Sequence, residues 1–388
     1  MTPIADVELE LVDAPGTPGD VAAFLPRLSA ALGGGVPLLL LPPSGVERQR
    51  LIEAGRGVRV PRATSLVVPT SGSTGEPRLA LLSSAALTAS ADATHTALGG
   101  PGRWLLALPT THIAGLQVLV RSLRSGQEPV VVDSAGGFTA ASFVQAVASL
   151  DKRSSELPHY GALVPTQLQR LLDDGAGVEA LWELDAVLVG GAAMPPALAD
   201  RARDAGVTVI RTYGMTETCG GCVYDGVPLP GVDVAIDSDS RVLIAGPVLF
   251  DGYLGVSEPP VVDGWFRSSD LGHQVDGVLH VDGRADNVVV SGGVNVPAEA
   301  VERAMLGTHE IGDVVVVGVP DDEWGESVVA MVTAPEALDT DTVRATLDGV
   351  LPSAWMPRDV ITLESFPALP SGKADRAALR RLAIHLTR

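Results

Sequence analysis

Cysteine is scarce in this 388-residue chain, with only Cys219 and Cys222, in the stretch "CGGC". That spacing suits a redox pair, half of a zinc site, or two small residues in a Gly-rich segment. A zinc site needs two more ligands and no other cysteine exists, so a reduced, structural pair is the expectation. Basic residues are also short: 27 Lys and Arg stand against 47 Asp and Glu, for a net charge of −20. Nucleic-acid binding rests on Lys and Arg neutralising phosphates, so this balance excludes it. Any anionic ligand must be held locally, by backbone N–H groups and a few placed cations. Long apolar runs are missing. The longest obvious one, "VPLLLLP" at 36–42, falls far below the roughly 20 residues of a membrane helix, so no membrane insertion is expected. The N-terminus "MTPIADVELELVD" is acidic and lacks a basic segment followed by an apolar one. A signal peptide is therefore not expected, and a cytoplasmic location is.

What is present is an ordinary globular balance, 46% hydrophobic and 19% charged, over a length that suits two or three domains. From about 60 to 215, short apolar stretches alternate with amphipathic ones. "SLVVP", "RWLLALP", "PVVVD", "YGALVPT", "AVLVGGA" and "VTVIRTYG" read as strands; "AGLQVLVRSLRSG", "TAASFVQAVASL", "QLQRLLDD" and "PPALADRARDAG" read as helices. Such alternation predicts a parallel sheet covered on both faces, with ligands at the carboxyl ends of its strands. Both "TSGSTG" (70–75) and "YGMTE" (213–217) sit at such ends. From about 228 to 283, "VDVAID", "RVLIAG" and "GVLHVDG" read as hairpin-rich β structure. Beyond that, helices and strands mix in a small α+β unit. The expectation is a large α/β N-terminal domain over 1–284, with parallel sheets and a β-rich subdomain, followed by a small α+β C-terminal domain over 285–388. The basic end "RAALRRLAIHLTR" reads as a helix with cations at its negative dipole end.

In "TSGSTGEPR" (70–78), glycines let successive N–H groups converge on an anion, hydroxyls add neutral donors, and Arg78 adds a fixed positive fork. Together these suit a polyphosphate, although the Walker spacing is absent. "TYGMTET" (212–218) follows a strand and offers a Tyr for stacking on a base and a Glu for a metal beside phosphates. "GWFRSSDLG" (264–272) contains Asp270, a candidate for ribose hydroxyls. "GRADNVVVSGGVNVPAEAVE" (283–302) places Arg, Asp and a Gly-rich turn at the domain boundary, and "LPSGKADR" (369–376) carries Lys373 in a loop. Taken singly, each also reads as core filler or as a solvated surface charge.

In this order, the five motifs resemble those of the adenylate-forming superfamily: acyl- and aryl-CoA ligases, adenylation domains and luciferases. The resemblance runs from about 60 to 385. It implies two half-reactions. A carboxylate first attacks the α-phosphate of ATP, and a thiol then displaces AMP from the acyl-adenylate. It further implies that Thr70, Ser71, Gly72, Ser73, Thr74, Gly75 and Arg78 cradle the β- and γ-phosphates. Gly190, Gly191 and Ala192 would line the adenine slot with Tyr213, continuing through Gly214 and Met215. Thr216 would contact the α-phosphate, Glu217 the Mg²⁺, and Asp270 with Arg284 the ribose. Lys373 would bridge carboxylate and α-phosphate, and Asp286 would be the hinge of a small domain that rotates between steps. "SGGVN" (291–295) would then line a channel for coenzyme A. His112 falls beside the implied acyl pocket, with Thr166, Gln167 and Gly191; Arg170 is near but is equally well a helix-surface charge.

Three departures accompany the resemblance. Arg78 stands where lysine is usual, Ser73 replaces a threonine, and "SSD" (268–270) replaces "TGD". Arg and Lys present different geometry, so the phosphate loop is where a difference is expected. "HIAGLQVLVRS", "ALVPTQLQRLL" and "YGMTETCGGCVYDGVPL" are similar to the o-succinylbenzoate–CoA ligase branch, which serves menaquinone biosynthesis. Two other readings stay open: a ligase or carrier-loading adenylation enzyme for another acid, and a non-catalytic nucleotide-binding module. The implied partners are small molecules (an aromatic acid, ATP and coenzyme A), and the resemblance leaves a homodimer open as the assembly state.

Overall fold

The computed structural model describes residues 6–70, 78–133, 136–150, 157–306, 311–367 and 374–387. Two compact units emerge: one comprises 1–194, 198–234 and 243–267, the other 195–197, 235–242 and 268–388.

The first unit holds two large sheets beside a two-stranded pairing of Val7–Glu8 with Arg59–Val60. Five strands, Arg103–Leu106, Val130–Val131, His159–Leu163, Ala186–Val189 and Val209–Met215, run parallel, as the alternating pattern predicts. Two further strands, Gly220–Tyr224 and Val227–Pro228, turn back antiparallel and complete a seven-stranded sheet. The sheet is therefore mixed rather than purely parallel. Helices Ala140–Ala148, Pro165–Leu172, Gly175–Leu181 and Pro196–Asp204 bury apolar side chains such as Phe143, Leu168, Leu181 and Leu198 on one face. Helix Ser84–Ala97 packs on strands of both sheets of the first unit, and helix Ile113–Ser125 packs on the seven-stranded sheet and on Ser84–Ala97. Helix Ile113–Ser125 is buried almost all round, from Ile113 to Ser122, as a helix between two layers must be.

The second sheet orders strands Gly252–Tyr253, Leu79–Ser83, Thr64–Pro69, Leu38–Leu41 and Glu10–Asp13. The run "VPLLLLP" thus supplies a strand buried at all four of its positions, parallel to both neighbours.

His95 is buried between these layers. It accepts a hydrogen bond at Nε2 from the Trp104 indole, 3.3 Å away, and the Arg121 guanidinium lies 4.9 Å from the Trp104 ring. Burial lowers the His95 pKa from 6.5 to about 4; Arg121 and Arg124 act in the same sense and Asp92 opposes them. The folded protein therefore holds the ring neutral, while the unfolded chain takes up a proton between those two pH values. Stability from this site is expected to be full above pH 6.5 and to be lost as pH falls to about 4. The loss is at most about 3 kcal/mol. Urea midpoints recorded from pH 7 to pH 4 should show an acid limb that His95→Gln flattens. An unchanged limb would exclude His95 as its source.

The second unit is built on a hairpin of strands Asp313–Asp321 and Gly325–Thr333, with strand Asp359–Leu363 added in parallel. Alternate residues face opposite layers. Val314 and Val316 meet helices Ala298–Leu306 and Thr340–Leu347, while Val315, Val317 and Val319 meet helix Arg376–Leu386. Burial on both faces accounts for the unbroken valine run. Strand Val288–Ser291 turns through Gly292 and Gly293 into Val294–Pro297. Both glycines have positive φ, 58° and 78°, which a two-residue hairpin turn requires.

Candidate active site

The five parallel strands point their carboxyl ends the same way, and the expected site residues follow those ends. His112 precedes helix Ile113–Ser125 after the strand ending at Leu106, and it is exposed. Thr166 and Gln167 follow the strand ending at Leu163, Gly190 to Ala192 the strand ending at Val189, and Tyr213 to Glu217 complete the next. Ladder pairing sets Leu163 beside Val189 and Val189 beside Arg211, so these segments are neighbours. Gly190 leaves no room for a side chain: a Cβ there would collide with the Thr212 hydroxyl. Gly191 and Ala192 are exposed and keep the edge open. Thr166 is exposed. Gln167 is buried, with its amide oxygen accepting from Val164 N–H at 3.0 Å and its amide nitrogen donating to Ala107 O at 2.9 Å. It ties two strand ends together.

After Met215 the chain makes a single 3₁₀ turn, Thr216–Thr218, and reverses. The Thr218 hydroxyl accepts from Met215 N–H at 2.9 Å and donates to Gly220 O at 2.7 Å. The returning strand runs so close that a Cβ on Gly214 would overlap the Gly220 carbonyl. This explains "CGGC": Cys219 takes the left-handed turn position, φ 51°, and the glycines permit the close approach. Both cysteines are buried, and they do not form a disulfide with each other. Burial raises the Cys219 thiol well above its usual range, the opposite of what a reactive thiolate needs.

Glu217 is held at the tip of this turn, only 9% exposed. Its carbonyl accepts from Phe250 N–H at 2.9 Å, and its Oε1 accepts from the Tyr253 hydroxyl at 2.6 Å. Tyr253 lies on a short strand antiparallel to Leu79–Ser83, opposite Ala80. The Arg78 guanidinium sits 5.3 Å from the Tyr253 ring centroid. Thr70 N–H donates to Arg78 O at 2.8 Å, which closes the base of the loop between strands Thr64–Pro69 and Leu79–Ser83. The expected phosphate-binding residues Ser71, Gly72, Ser73, Thr74 and Gly75 lie outside the described residues. Arg78, Tyr253 and Glu217 therefore form one chain of contacts. Motif reading found its two ends and missed Tyr253, whose "GYLG" carries no signal of its own.

A lone, nearly buried carboxylate oxygen suits Mg²⁺, which prefers few protein ligands and otherwise takes phosphate oxygens and water. Among the described residues, no group of three or more His, Cys, Asp or Glu could cage a metal.

In the second unit, Asp270 and Arg284 face each other across two antiparallel strands, with Arg284 Nη1 3.5 Å from Asp270 Oδ1. Asp270 N–H donates to the buried Ser268 hydroxyl at 3.0 Å, so the first serine of "SSD" fixes the backbone beneath the Asp. Arg284 also grips Asp286 through Nε and Nη2, both at 3.0 Å. That pairing is the main cause that raises the Arg284 pKa. Glu299 accepts from Arg284 N–H at 3.2 Å and from the Asn287 side chain, bracketing Asp286. Lys373 lies outside the described residues. Its flanks are anchored: Asp375 N–H donates to Pro367 O at 2.7 Å, and Arg376 donates to Glu302 at 2.8 Å and Val316 O at 2.7 Å.

The AMP-binding enzyme model matches residues 47–264, and the AMP-binding enzyme C-terminal domain model matches 300–373. A probable 2-succinylbenzoate–CoA ligase of Mycobacterium tuberculosis is 44% identical over 370 residues, covering 93% of this chain and 95% of that protein. The indoleacetate–CoA ligase of Aromatoleum aromaticum is 30% identical, covering 89% and 74%. Among solved structures, wild-type E. coli MenE with a bound m-phenylether-linked analogue of OSB-AMS has a TM-score of 0.75 and 26% identity, covering 98% of this chain and 89% of that one. With a family model across more than half its length and a full-length relative of this identity, the chain belongs to the AMP-binding enzyme family, the adenylate-forming enzymes its motifs resemble.

Proposed function

We propose that the chain is an ATP-dependent acid–thiol ligase that converts 2-succinylbenzoate (o-succinylbenzoate) to its coenzyme A thioester, for menaquinone biosynthesis. The full-length similarity to the Mycobacterium tuberculosis ligase carries the choice of acid. The residues gathered at the carboxyl edge support the chemistry.

Two anions must meet, so the protein's task is positioning and charge neutralisation. Thr70 and Arg78, with the loop residues Ser71 to Gly75 between them, hold the β- and γ-phosphates. Gly190, Gly191 and Ala192 leave a slot for adenine, Tyr213 stacks on it, and the Gly214–Met215 backbone borders it. Asp270 and Arg284 hold the ribose hydroxyls. Thr216 hydrogen-bonds the α-phosphate. Glu217 holds Mg²⁺, which when bound draws charge from the phosphates. Lys373 bridges the attacking carboxylate and the α-phosphate. His112 and Thr166 border the acyl group beside Gly191, and Gln167 keeps that wall in place. For the second step the small domain, 285–388, turns about Asp286, withdraws Lys373 and presents "SGGVN" to the pantetheine arm. A cytoplasmic setting follows, since ATP and coenzyme A are supplied there.

Exchange of labelled pyrophosphate into ATP, without coenzyme A, isolates the first step. Exchange dependent on 2-succinylbenzoate is the expected result. Exchange with only a different acid would keep the chemistry and overturn the substrate. Tight ATP binding without exchange on any acid would favour a nucleotide-binding module.

A further inference from the structure

We propose that Tyr253 is a positioning residue that presets the Glu217 carboxylate for Mg²⁺ and ties it to the phosphate-loop arginine, Arg78. The inference rests on the assignment of Glu217 as the Mg²⁺ ligand and goes beyond it to a residue outside the five motifs.

Three contacts carry it. The Tyr253 hydroxyl donates to Glu217 Oε1 at 2.6 Å, a short, charge-assisted bond. The Tyr253 ring lies under the Arg78 guanidinium at 5.3 Å, within cation–π range. The Tyr253 backbone belongs to the strand paired with Leu79–Ser83, which begins at the end of the phosphate loop. Phe250 packs edge-on against Tyr253 at 4.8 Å and also donates its N–H to the Glu217 carbonyl. One short segment, 250–253, therefore fixes both the backbone and the side chain of Glu217.

The physical consequence concerns the other oxygen. With Oε1 held, Oε2 has one direction. A long side chain fixed before the metal arrives loses less freedom on binding it. Residues that orient a metal ligand in this way typically change metal affinity about 10–100-fold when altered. The ring has a separate task, since Arg78 has no Mg²⁺ to hold and must be kept over the phosphates.

The two tasks separate by substitution. Tyr253→Phe keeps the ring and removes the hydroxyl; Tyr253→Leu removes both. Mg²⁺ titrations of ATP binding, read by calorimetry on the full-length protein, give the metal requirement without turnover. Tyr253→Phe should raise the half-saturating Mg²⁺ concentration about 10-fold, with ATP affinity at saturating Mg²⁺ and the melting temperature near wild type. Tyr253→Leu should show the same Mg²⁺ shift and also weaken ATP binding at saturating Mg²⁺. Glu217→Gln is the reference and should shift the Mg²⁺ requirement at least as far. If Glu217→Gln shifts it and Tyr253→Phe does not, Tyr253 is only a core side chain and the proposal is overturned. If neither shifts it, the metal role of Glu217 falls, and that of Tyr253 with it.

Discussion

Lys373→Ala is expected to reduce acyl-adenylate formation by about 10³-fold while leaving thioester formation from preformed adenylate within a few-fold of wild type. The asymmetry follows from charge. In the first step a carboxylate approaches a phosphate, and a cation between them stabilises the transition state more than either ground state. In the second step the nucleophile is a thiol and the leaving group is AMP, and the proposed turn about Asp286 withdraws Lys373. The substitution should not disturb folding. The described residues on either side are held by the Pro367–Asp375 backbone bond and by Arg376, which donates to Glu302 and to the carbonyl of the core residue Val316. Pyrophosphate exchange reads the first step, and single-turnover reaction of synthetic adenylate with coenzyme A reads the second. Equal loss in both would contradict the assigned role.

Asp286→Pro is expected to do the reverse. The thioester step should fall on the order of 10²-fold, with adenylate formation much less affected. Asp286 sits in the 3₁₀ turn Ala285–Asn287, with its carboxylate held by Arg284. A proline there fixes φ near −65° and restricts Ala285, so one conformation of the turn is retained and the rotation is blocked. Asp286→Ala separates the two contributions, since it removes the ion pair and keeps backbone freedom. It should retain most of the thioester step. A larger loss in adenylate formation than in thioester formation for the proline variant would contradict the hinge.

Several features could be read from sequence because their cause is local. The strand before Gly190 and the strand that carries Tyr213 each open on a short apolar run and are followed by a turn of distinct composition, and the carboxyl-edge rule then places the motifs. The unbroken burial of Val314 to Val319, with alternate valines facing opposite layers, likewise follows from a hairpin covered on both faces. The features that could not be read depend on contacts distant in sequence. Leu38–Leu41 has no period, because all four side chains are buried, and its strand neighbours are set by tertiary packing. The seven-stranded sheet gains two antiparallel strands because the chain reverses after Glu217, through a turn that Cys219 accepts in a left-handed conformation. The resemblance sets Gln167 beside the acyl pocket, but the bridge its amide makes between Val164 and Ala107, a partner 60 residues away, is legible only in the fold. Tyr253 meets Glu217 across 36 residues and belongs to no motif, so only the fold reveals it.

Ligation of 2-succinylbenzoate to coenzyme A through an adenylate is open to direct observation. The direct measurement is mass spectrometry of a reaction containing the protein, ATP, Mg²⁺, coenzyme A and an equimolar mixture of 2-succinylbenzoate, benzoate, indoleacetate and ferulate. The 2-succinylbenzoyl thioester is expected as the dominant product, with AMP and pyrophosphate formed in step with it. A thioester of another acid alone, or AMP without any thioester, would contradict it.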